Sequence, residues 1–181
     1  MRSSSLHIRR LVLCALFAAL TAVCSQLQIP LPMVPINLAL FAVHLSGALL
    51  GPAYGFLSMA IYVLLGAAGL PVFTGLAGGM GVLLGKTGGY ILGYCFCAAF
   101  VGLWSRRTGH GFVSLCAGMA LGLCLCYLFG TLWFMRLSGL GLYASLGYCV
   151  LPFLPGDAVK IALAALLARR LEKPMKRIAG I

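Results

Sequence analysis

Two charged side chains, Asp157 and Lys160, stand in an apolar segment near the end of the chain. A charge at the centre of a transmembrane helix costs about 2.5–3.5 kcal/mol on insertion scales, so such a residue normally serves a function. Their spacing places them one turn apart on the same helix face. The pair can therefore bind a polar ligand through an anion and a cation. Alternatively, the two residues neutralise each other as an i, i+3 ion pair that the helix dipole favours.

The residues before Asp157 interrupt regular helix. Pro152, Pro155 and Gly156 precede it within one short stretch, and proline lacks the backbone N–H that a helix interior needs. We therefore predict that the last helix is broken at its start and that Asp157 lies near its first turn.

The composition around this pair is that of a membrane protein. Of the 181 residues, 62% are hydrophobic and only 8% are charged, whereas a soluble domain carries about a quarter charged residues. A bilayer core about 30 Å thick requires about 20 helical residues per crossing. We therefore predict a single all-α integral membrane domain over residues 1–181, embedded in a lipid bilayer.

The apolar runs predict six transmembrane helices. Their approximate bounds are 11–29, 35–51, 53–70, 82–104, 112–135 and 148–168. Gly51-Pro52 predicts a tight turn between the second and third helices, because the residue before a proline disfavours helix. We expect the first helix to be retained, because an apolar stretch of about 19 residues exceeds the usual 7–15 of a secretory signal.

The Lys and Arg residues predict the orientation, because cytoplasmic loops carry an excess of them. Most of the thirteen fall on the side that both termini share when six helices cross: Arg2, Arg9, Arg10, Arg106, Arg107, Arg169, Arg170, Lys173, Lys176 and Arg177. We therefore predict cytoplasmic termini and a multi-pass protein of the cell membrane. Because these residues mark a membrane surface and not a groove for phosphate, nucleic acid is not an expected partner.

Three further patterns indicate no catalytic, metal or cofactor site. Gly85-Lys86-Thr87 is similar to the end of a phosphate loop, but Met80 stands where that motif requires a glycine. The eight cysteines form no C-x-x-C pair and suit apolar packing. His44 stands alone among apolar residues, where a neutral ring bonded to a carbonyl is usual. We therefore predict a protein that is not an enzyme and holds no metal or cofactor.

The stretch from Gly66 to Gly93 is a poor continuous helix. It contains ten glycines and Pro71, and each interior glycine costs about 1 kcal/mol relative to alanine. Irregular backbone at membrane depth is tolerated only where it is buried in protein or lines a cavity. A loop folded over a pocket is therefore predicted here.

Small residues recur one turn apart in the first helix. They form two overlapping pairs, Ala15 with Ala19 and Ala18 with Ala22, and such spacing lets another helix approach closely. The pattern fits packing within this chain and a partner surface equally well.

Several segments together carry a more specific pattern than any one of them. Beside the alanine-rich first helix they are Val34-Pro35-Ile36, Leu49-Leu50-Gly51-Pro52, the run from Tyr62 to Phe73, Thr87-Gly88-Gly89-Tyr90, and the run from Leu151 to Lys160. In combination they resemble the BioY family, the biotin-specific substrate-binding (S) components of energy-coupling factor (ECF) vitamin transporters. The resemblance covers nearly the whole chain.

The resemblance implies six membrane helices, cytoplasmic termini and a pocket near the outer face that binds biotin as the transported ligand. It also implies a partner module of one transmembrane coupling subunit and two ATPases, contacted through the face of Ala15 and Ala19. The chain departs from the family pattern at the pocket rim. Lys86 stands where the family usually has proline, and Asn37 and Ala39 replace the Thr and Gln that often follow Val-Pro-Ile.

Biotin offers two ureido N–H donors, an apolar thioether ring, an aliphatic tail and a carboxylate. We expect Asp157 to accept hydrogen bonds from the ureido N–H groups. Lys160, together with Lys86, is expected to bind the ligand carboxylate or to support Asp157. Tyr90 and the glycine loop 75–81 are expected to form the wall and the lid. The predicted substrate-binding residues are Asp157, Lys160, Tyr90, Lys86, Gly78, Gly79 and Asn37.

Other functions remain compatible with parts of the pattern. An S component for another vitamin would share the architecture and differ in its pocket residues. A small intramembrane enzyme could use Asp157 and Lys160 as acid and base, although it would need further convergent polar groups or a metal. A channel would require rings of polar or charged residues along a pore, which the apolar runs lack.

Overall fold

The computed structural model describes residues 2–30 and 34–179, with residues 2–5 and 179 described by their backbone alone. The predicted domain over 1–181 and the side chain of Arg2 thus extend outside the described part. Seven helices and two short strands follow one another within it: α1 (Arg2–Gln26), β1 (Gln28–Ile29), β2 (Ile36–Asn37), α2 (Ala39–Ala67), α3 (Met80–Leu83), α4 (Gly88–Thr108), α5 (Phe112–Ser138), α6 (Leu142–Cys149) and α7 (Leu154–Ala179).

The long helices are apolar enough to cross a membrane. Among the described residues, α1, α2, α4 and α5 each pass this test of length and composition, and α6 with α7 passes it as a pair bent by 53°. The prediction of an all-α, multi-pass membrane protein is thus confirmed as a nearly all-helical one, with two short strands that were not predicted.

Helix α2 turns back on itself at Gly51, which confirms the predicted turn. Gly51 has φ 79° and ψ −178°, a conformation that glycine adopts without steric cost. Beyond the turn, a Cβ on Gly55 would lie 3.0 Å from the Cα of Gly47. Because these residues would stand about 12 Å apart along a straight helix, the two halves of α2 form a hairpin.

Helix α4 packs closely against this hairpin. A Cβ on Gly47 would lie 2.4 Å from the carbonyl oxygen of Ala98, and a Cβ on Gly102 would lie 2.4 Å from the carbonyl carbon of Gly51. Close approach through small residues is a common way for transmembrane helices to associate. Helices α1 and α7 also contact α2, and α5 contacts α4, so α2 occupies the centre of the bundle.

The predicted bounds of several helices are wrong. The helix predicted over 82–104 begins only at Gly88, because the chain folds back so tightly there that a Cβ on Gly88 would lie 1.7 Å from the carbonyl oxygen of Leu83. The helix predicted over 11–29 ends at Gln26 because strand β1 follows it.

The last predicted helix, over 148–168, differs from the structure at both ends. The break falls between Cys149 and Leu154, so Pro155 and Gly156 lie inside the first turn of α7. Proline is tolerated in a first helical turn, where its missing N–H is not needed. Asp157 lies in that first turn, as predicted. The other end extends to Ala179, because Lys and Arg are good helix formers.

The chain between α2 and α3 is irregular, as its glycines predict. Gly69, Gly75 and Gly79 have positive φ. Phe73 and Ala77 form an isolated antiparallel bridge, with their backbone groups bonded at 2.9 and 3.2 Å. We call residues 72–77 the strap, because this short turn lies across one end of the helix bundle.

Candidate functional site

A cavity of about 230 Å³ lies beneath the strap. Most of its wall is apolar or aromatic: Val34, Pro35, Leu40, Phe73, Val82, Ile91, Tyr94, Cys149 and Phe153. The polar groups that reach it come from five separate parts of the chain: Asn37, Thr74, Thr87, Tyr90, Tyr127 and Lys160. An apolar concavity with a few convergent polar groups is the usual form of a small-molecule site.

The predicted charge pair lies at this cavity. Lys160 Nζ donates to Oδ1 of Asp157 at 2.7 Å, and the residues are only 7% and 1% exposed. Lys160 is part of the cavity wall. Asp157 is not among the described residues that line the cavity and lies behind Lys160. An ammonium has three donors, so Lys160 retains donor capacity toward the cavity.

A second helix holds the same carboxylate. The hydroxyl of Tyr127, on α5, donates to Oδ2 of Asp157, and Tyr127 also lines the cavity. Hydrogen bonds to a charged acceptor are roughly twice as strong as neutral ones. Asp157 is therefore held between a cation on its own helix and a donor from α5.

Tyr90 lies on the wall, where the sequence predicts it. Its hydroxyl shares a hydrogen bond of 3.1 Å with Oγ1 of Thr131 on α5. The ring packs over Gly130, where a Cβ would lie 2.1 Å from Cδ1 of Tyr90. The glycine thus allows an aromatic side chain to fit between α4 and α5.

Asn37 reaches the cavity from strand β2, whose residues pair with β1 in the register Gln28↔Asn37. Its Oδ1 accepts from the backbone N–H of Ala39 at 3.0 Å. Its Nδ2 donates to Oγ1 of Thr74 at 2.7 Å. Asn37 therefore connects the start of α2 to the strap.

Besides Asp157, three of the predicted site residues lie away from the described cavity wall. The side chain of Lys86 is exposed, and its neighbour Thr87 lines the cavity instead. Gly79 donates its N–H to the carbonyl of Gly66 at 2.7 Å. A Cβ on Gly78 would lie 2.3 Å from the carbonyl oxygen of Leu70. These two glycines therefore shape the loop, while Phe73 and Thr74 of the strap supply its part of the wall.

His44 and Cys97 lie together in the core. Nδ1 of His44 is 3.7 Å from Sγ of Cys97, a contact that differs from the carbonyl partner expected for a lone histidine. Within the described ranges, no three His, Cys, Asp or Glu side chains are grouped as metal ligands.

The two alanine pairs of α1 face different surroundings. Ala15 and Ala19 are exposed, whereas Ala18 is buried at 2% exposure. Exposed apolar side chains flank the first pair, including Val12 and Leu16 at 61% and 58% exposure. The face of Ala15 and Ala19 is thus available for contact outside this chain.

Sequence reasoning missed part of the wall. Tyr127, Tyr94 and Thr74 lie on it, each in an apolar or glycine-rich stretch without a distinctive motif, and Phe153 lies on it within the quoted run from Leu151 to Lys160 without being predicted as a site residue. The one available signal for Tyr127 is a phenol within a transmembrane helix, because a buried hydroxyl requires a hydrogen-bond partner.

Comparison with known proteins gives a consistent result. Residues 1–177 match the BioY family. The chain is 39% identical to the biotin transporter BioY of Thermotoga maritima over 92% of this chain and 97% of that protein. It is 42% identical to the probable biotin transporter BioY of Pyrococcus horikoshii over 88% and 94%.

A solved structure has the same fold. A crystal structure of the S-component for biotin from an ECF-type ABC transporter superimposes with a TM-score of 0.86 at 31% identity, covering 92% of each chain. Sequence and fold thus agree over nearly the full length. The chain belongs to the BioY family.

Proposed function

We propose that this chain binds biotin in the cavity beneath the strap and serves as the S component for biotin uptake by an ECF-type transporter. The observation that carries the proposal is the buried group of Asp157, Lys160 and Tyr127 at the wall of an aromatic cavity, in a chain whose relatives are named biotin transporters. As a BioY family member it is a transport protein and not an enzyme.

The polar group suits the ureido ring of biotin. Lys160 lines the cavity, and the donors of its ammonium that Asp157 does not use can bind the ureido oxygen or the ligand carboxylate. Each oxygen of Asp157 has two lone pairs, and Lys160 and Tyr127 bond one oxygen each, so the carboxylate can accept further hydrogen bonds. A shift of Tyr127 or Lys160 would expose this acceptor to the ureido N–H groups. In a site without water such charge-assisted bonds are about twice as strong as neutral ones.

We assign different roles to the other predicted site residues. Tyr90 and Asn37 contact the ligand directly from the wall, and Gly78 and Gly79 shape the loop above it. Lys86 acts as a cation at the mouth of the site. Support for these parts comes from the wall positions of Tyr90 and Asn37 and from the backbone contacts of the two glycines.

The chain forms one integral membrane domain with six crossings and both termini in the cytoplasm, at the cell membrane. The contact of Gly47 with Gly55 supports counting the halves of α2 as two crossings. Helices α6 and α7 count as one crossing, because they pass the test of length and composition only as a bent pair. A second cavity, of about 410 Å³, brings together Arg10, Arg106 and Lys176. These basic residues from three helices therefore cluster at one end, which fits a cytoplasmic surface.

The partners of this chain are a transmembrane coupling subunit and two ATPases, which supply the energy for uptake. The exposed face of Ala15 and Ala19 on α1 contacts the coupling subunit, because small residues let a partner helix approach closely. The lipid bilayer surrounds the remaining apolar surface.

Isothermal titration calorimetry of the purified chain in lipid nanodiscs tests the ligand assignment. We expect tight binding of biotin, weaker binding of desthiobiotin, which retains the ureido ring and the carboxylate, and no heat with thiamine or riboflavin. Preference for another vitamin would contradict the proposal and would favour an S component with a different ligand.

A further inference from the structure

We propose that Ser25 and Gln26, at the end of α1, are positioning residues that hold the strap over the cavity and thereby determine how fast the ligand leaves. This inference rests on the proposed function. Both residues lie outside the cavity wall within the described ranges, and their side chains contact the strap directly.

Gln26 holds the strap through both ends of its amide. Its Nε2 donates to the carbonyl oxygens of Val72 at 3.3 Å and Phe73 at 3.0 Å. Its Oε1 accepts from the backbone N–H of Leu76 at 2.8 Å. One side chain therefore bridges the strap from Val72 to Leu76.

Ser25 adds a further bond from the same helix turn. Its Oγ lies 2.6 Å from the carbonyl oxygen of Val72 and 2.7 Å from that of Ala22. Ser25 is fully buried. The hydroxyl has one hydrogen, which it shares between these two carbonyl oxygens, so the strap and the end of α1 are coupled by a bond that burial protects from water.

The turn held by Gln26 is an unfavourable one. Leu76 has φ 56° and Gly75 has φ 75°, and the left-handed region is strained for a residue with a side chain. The Leu76 side chain is 70% exposed, so packing does not hold it in place. The bond from its N–H to Gln26 supplies a backbone restraint.

The strap residues that α1 holds also form the cavity wall. Phe73 is 1% exposed, and its carbonyl is bonded to Gln26 while its ring lines the cavity. Thr74 follows on the wall and is bonded to Asn37. Outward movement of these two residues therefore requires the α1 contacts to break or α1 to move with them.

The main test compares Gln26→Leu with Gln28→Leu by measuring the dissociation rate of radiolabelled biotin. Leucine removes both ends of the Gln26 amide at similar volume. The exposed Gln28 side chain also lies beside the strap, since a Cβ on Gly75 would lie 3.5 Å from its Nε2, but it makes no hydrogen bond to the strap among the described residues and therefore serves as the matched control. We expect about a tenfold faster dissociation for Gln26→Leu, from loss of hydrogen bonds, with a nearly unchanged association rate and wild-type rates for Gln28→Leu. Equal dissociation rates in all three proteins would overturn the inference.

Two further variants separate restraint from general stability. Gln26→Glu keeps the acceptor for Leu76 but replaces the donors to Val72 and Phe73, so it should also accelerate dissociation. Ser25→Ala should do so to a smaller extent. A lowered melting temperature without faster dissociation would show that Gln26 only stabilises the fold, and would contradict the proposed part.

Hydrogen–deuterium exchange on the ligand-free protein distinguishes failure of this inference from failure of the ligand assignment. In Gln26→Leu the amides of the strap should exchange faster than in wild type, while those of α4 stay unchanged. If wild-type protein bound no biotin but the strap still opened in this variant, the positioning of the strap would stand and the ligand assignment would fall. Unchanged exchange in the strap would refute the positioning.

Discussion

The hydroxyl of Tyr127 donates a hydrogen bond to Oδ2 of Asp157, the carboxylate oxygen opposite to the one that Lys160 bonds. The two residues belong to different helices, α5 and α7, and both helices meet at the cavity. Asp157 is therefore part of a three-residue group whose other two members form the wall. This arrangement links the charged group at the cavity to the packing of two helices.

Asp157→Asn should abolish biotin binding and also lower thermal stability. The substitution leaves Lys160, at 7% exposure, without its counter-charge. Removing one partner of a buried ion pair costs about 3–5 kcal/mol. Calorimetry with biotin and thermal unfolding of the purified protein measure the two effects.

The double variant Asp157→Asn with Lys160→Met separates these effects. Methionine removes the unpaired ammonium, so most of the lost stability should return, while biotin binding stays absent. Wild-type affinity in this variant would show that neither charge contacts the ligand.

Tyr127→Phe should weaken both the fold and the site while leaving the ion pair in place. The variant removes a hydrogen bond to a carboxylate, a contribution of about 1.5–3 kcal/mol. We expect a lower melting temperature and about a tenfold loss of biotin affinity. Tyr143→Phe is the control, because Tyr143 is 90% exposed; equal behaviour of the two variants would argue against a special bond at Tyr127.

Gly66→Ala should change the shape of the cavity by displacing Phe73, a residue of its wall. A Cβ on Gly66 would lie 2.0 Å from Cζ of Phe73, so the ring must move out of its place on the wall. Overpacking of this kind costs about 1–3 kcal/mol, and we expect about a tenfold weaker biotin binding by calorimetry.

Gly81→Ala is the control for the substitution at Gly66. A Cβ there would meet no atom of the described residues within 4 Å. It should bind biotin like wild type. If Gly66→Ala also did so, Phe73 would not be a wall that the ligand requires.

Ala15→Trp should block uptake without changing biotin binding. The indole would stand on the exposed face where the coupling subunit is proposed to pack, about 16 Å along α1 from Gln26, which contacts the strap. ATP-dependent uptake in cells that express the complete transporter, measured beside calorimetry on the isolated chain, checks both parts. Ala120→Trp, at an exposed alanine on α5, should leave uptake intact, and normal uptake by Ala15→Trp would exclude this surface.

Several features of the fold could be predicted from local sequence. Gly51 and Pro52 predict the turn within α2, because their backbone preferences act on adjacent residues. The starts of α4 and α7 could not be placed, because both depend on contacts with other segments. Gly88 touches the carbonyl of Leu83. Helices α6 and α7, which meet at a bend of 53°, pack on different neighbours: α6 contacts α5, whereas α7 also contacts α1 and α2.

The candidate site divides in the same way. The spacing of Asp157 and Lys160 predicts their contact, since residues three apart share a helix face. The contact of Asp157 with Tyr127 spans separate helices, and no spacing rule relates them. Likewise, the position of Lys86 off the wall and of Thr87 on it depends on how the chain turns into α4.

The sequence alone determined a helical membrane protein with a charged pair near the start of its last helix. Its composition, its helix periodicity and an acid three residues before a lysine were sufficient for this. These properties depend on residues close together in the chain and on the cost of charge in lipid. Only the tertiary structure decided that Asp157 lies behind Lys160 and Tyr127, and that the end of α1 holds the strap over the cavity. Such contacts join distant segments, and their geometry follows from how whole helices pack.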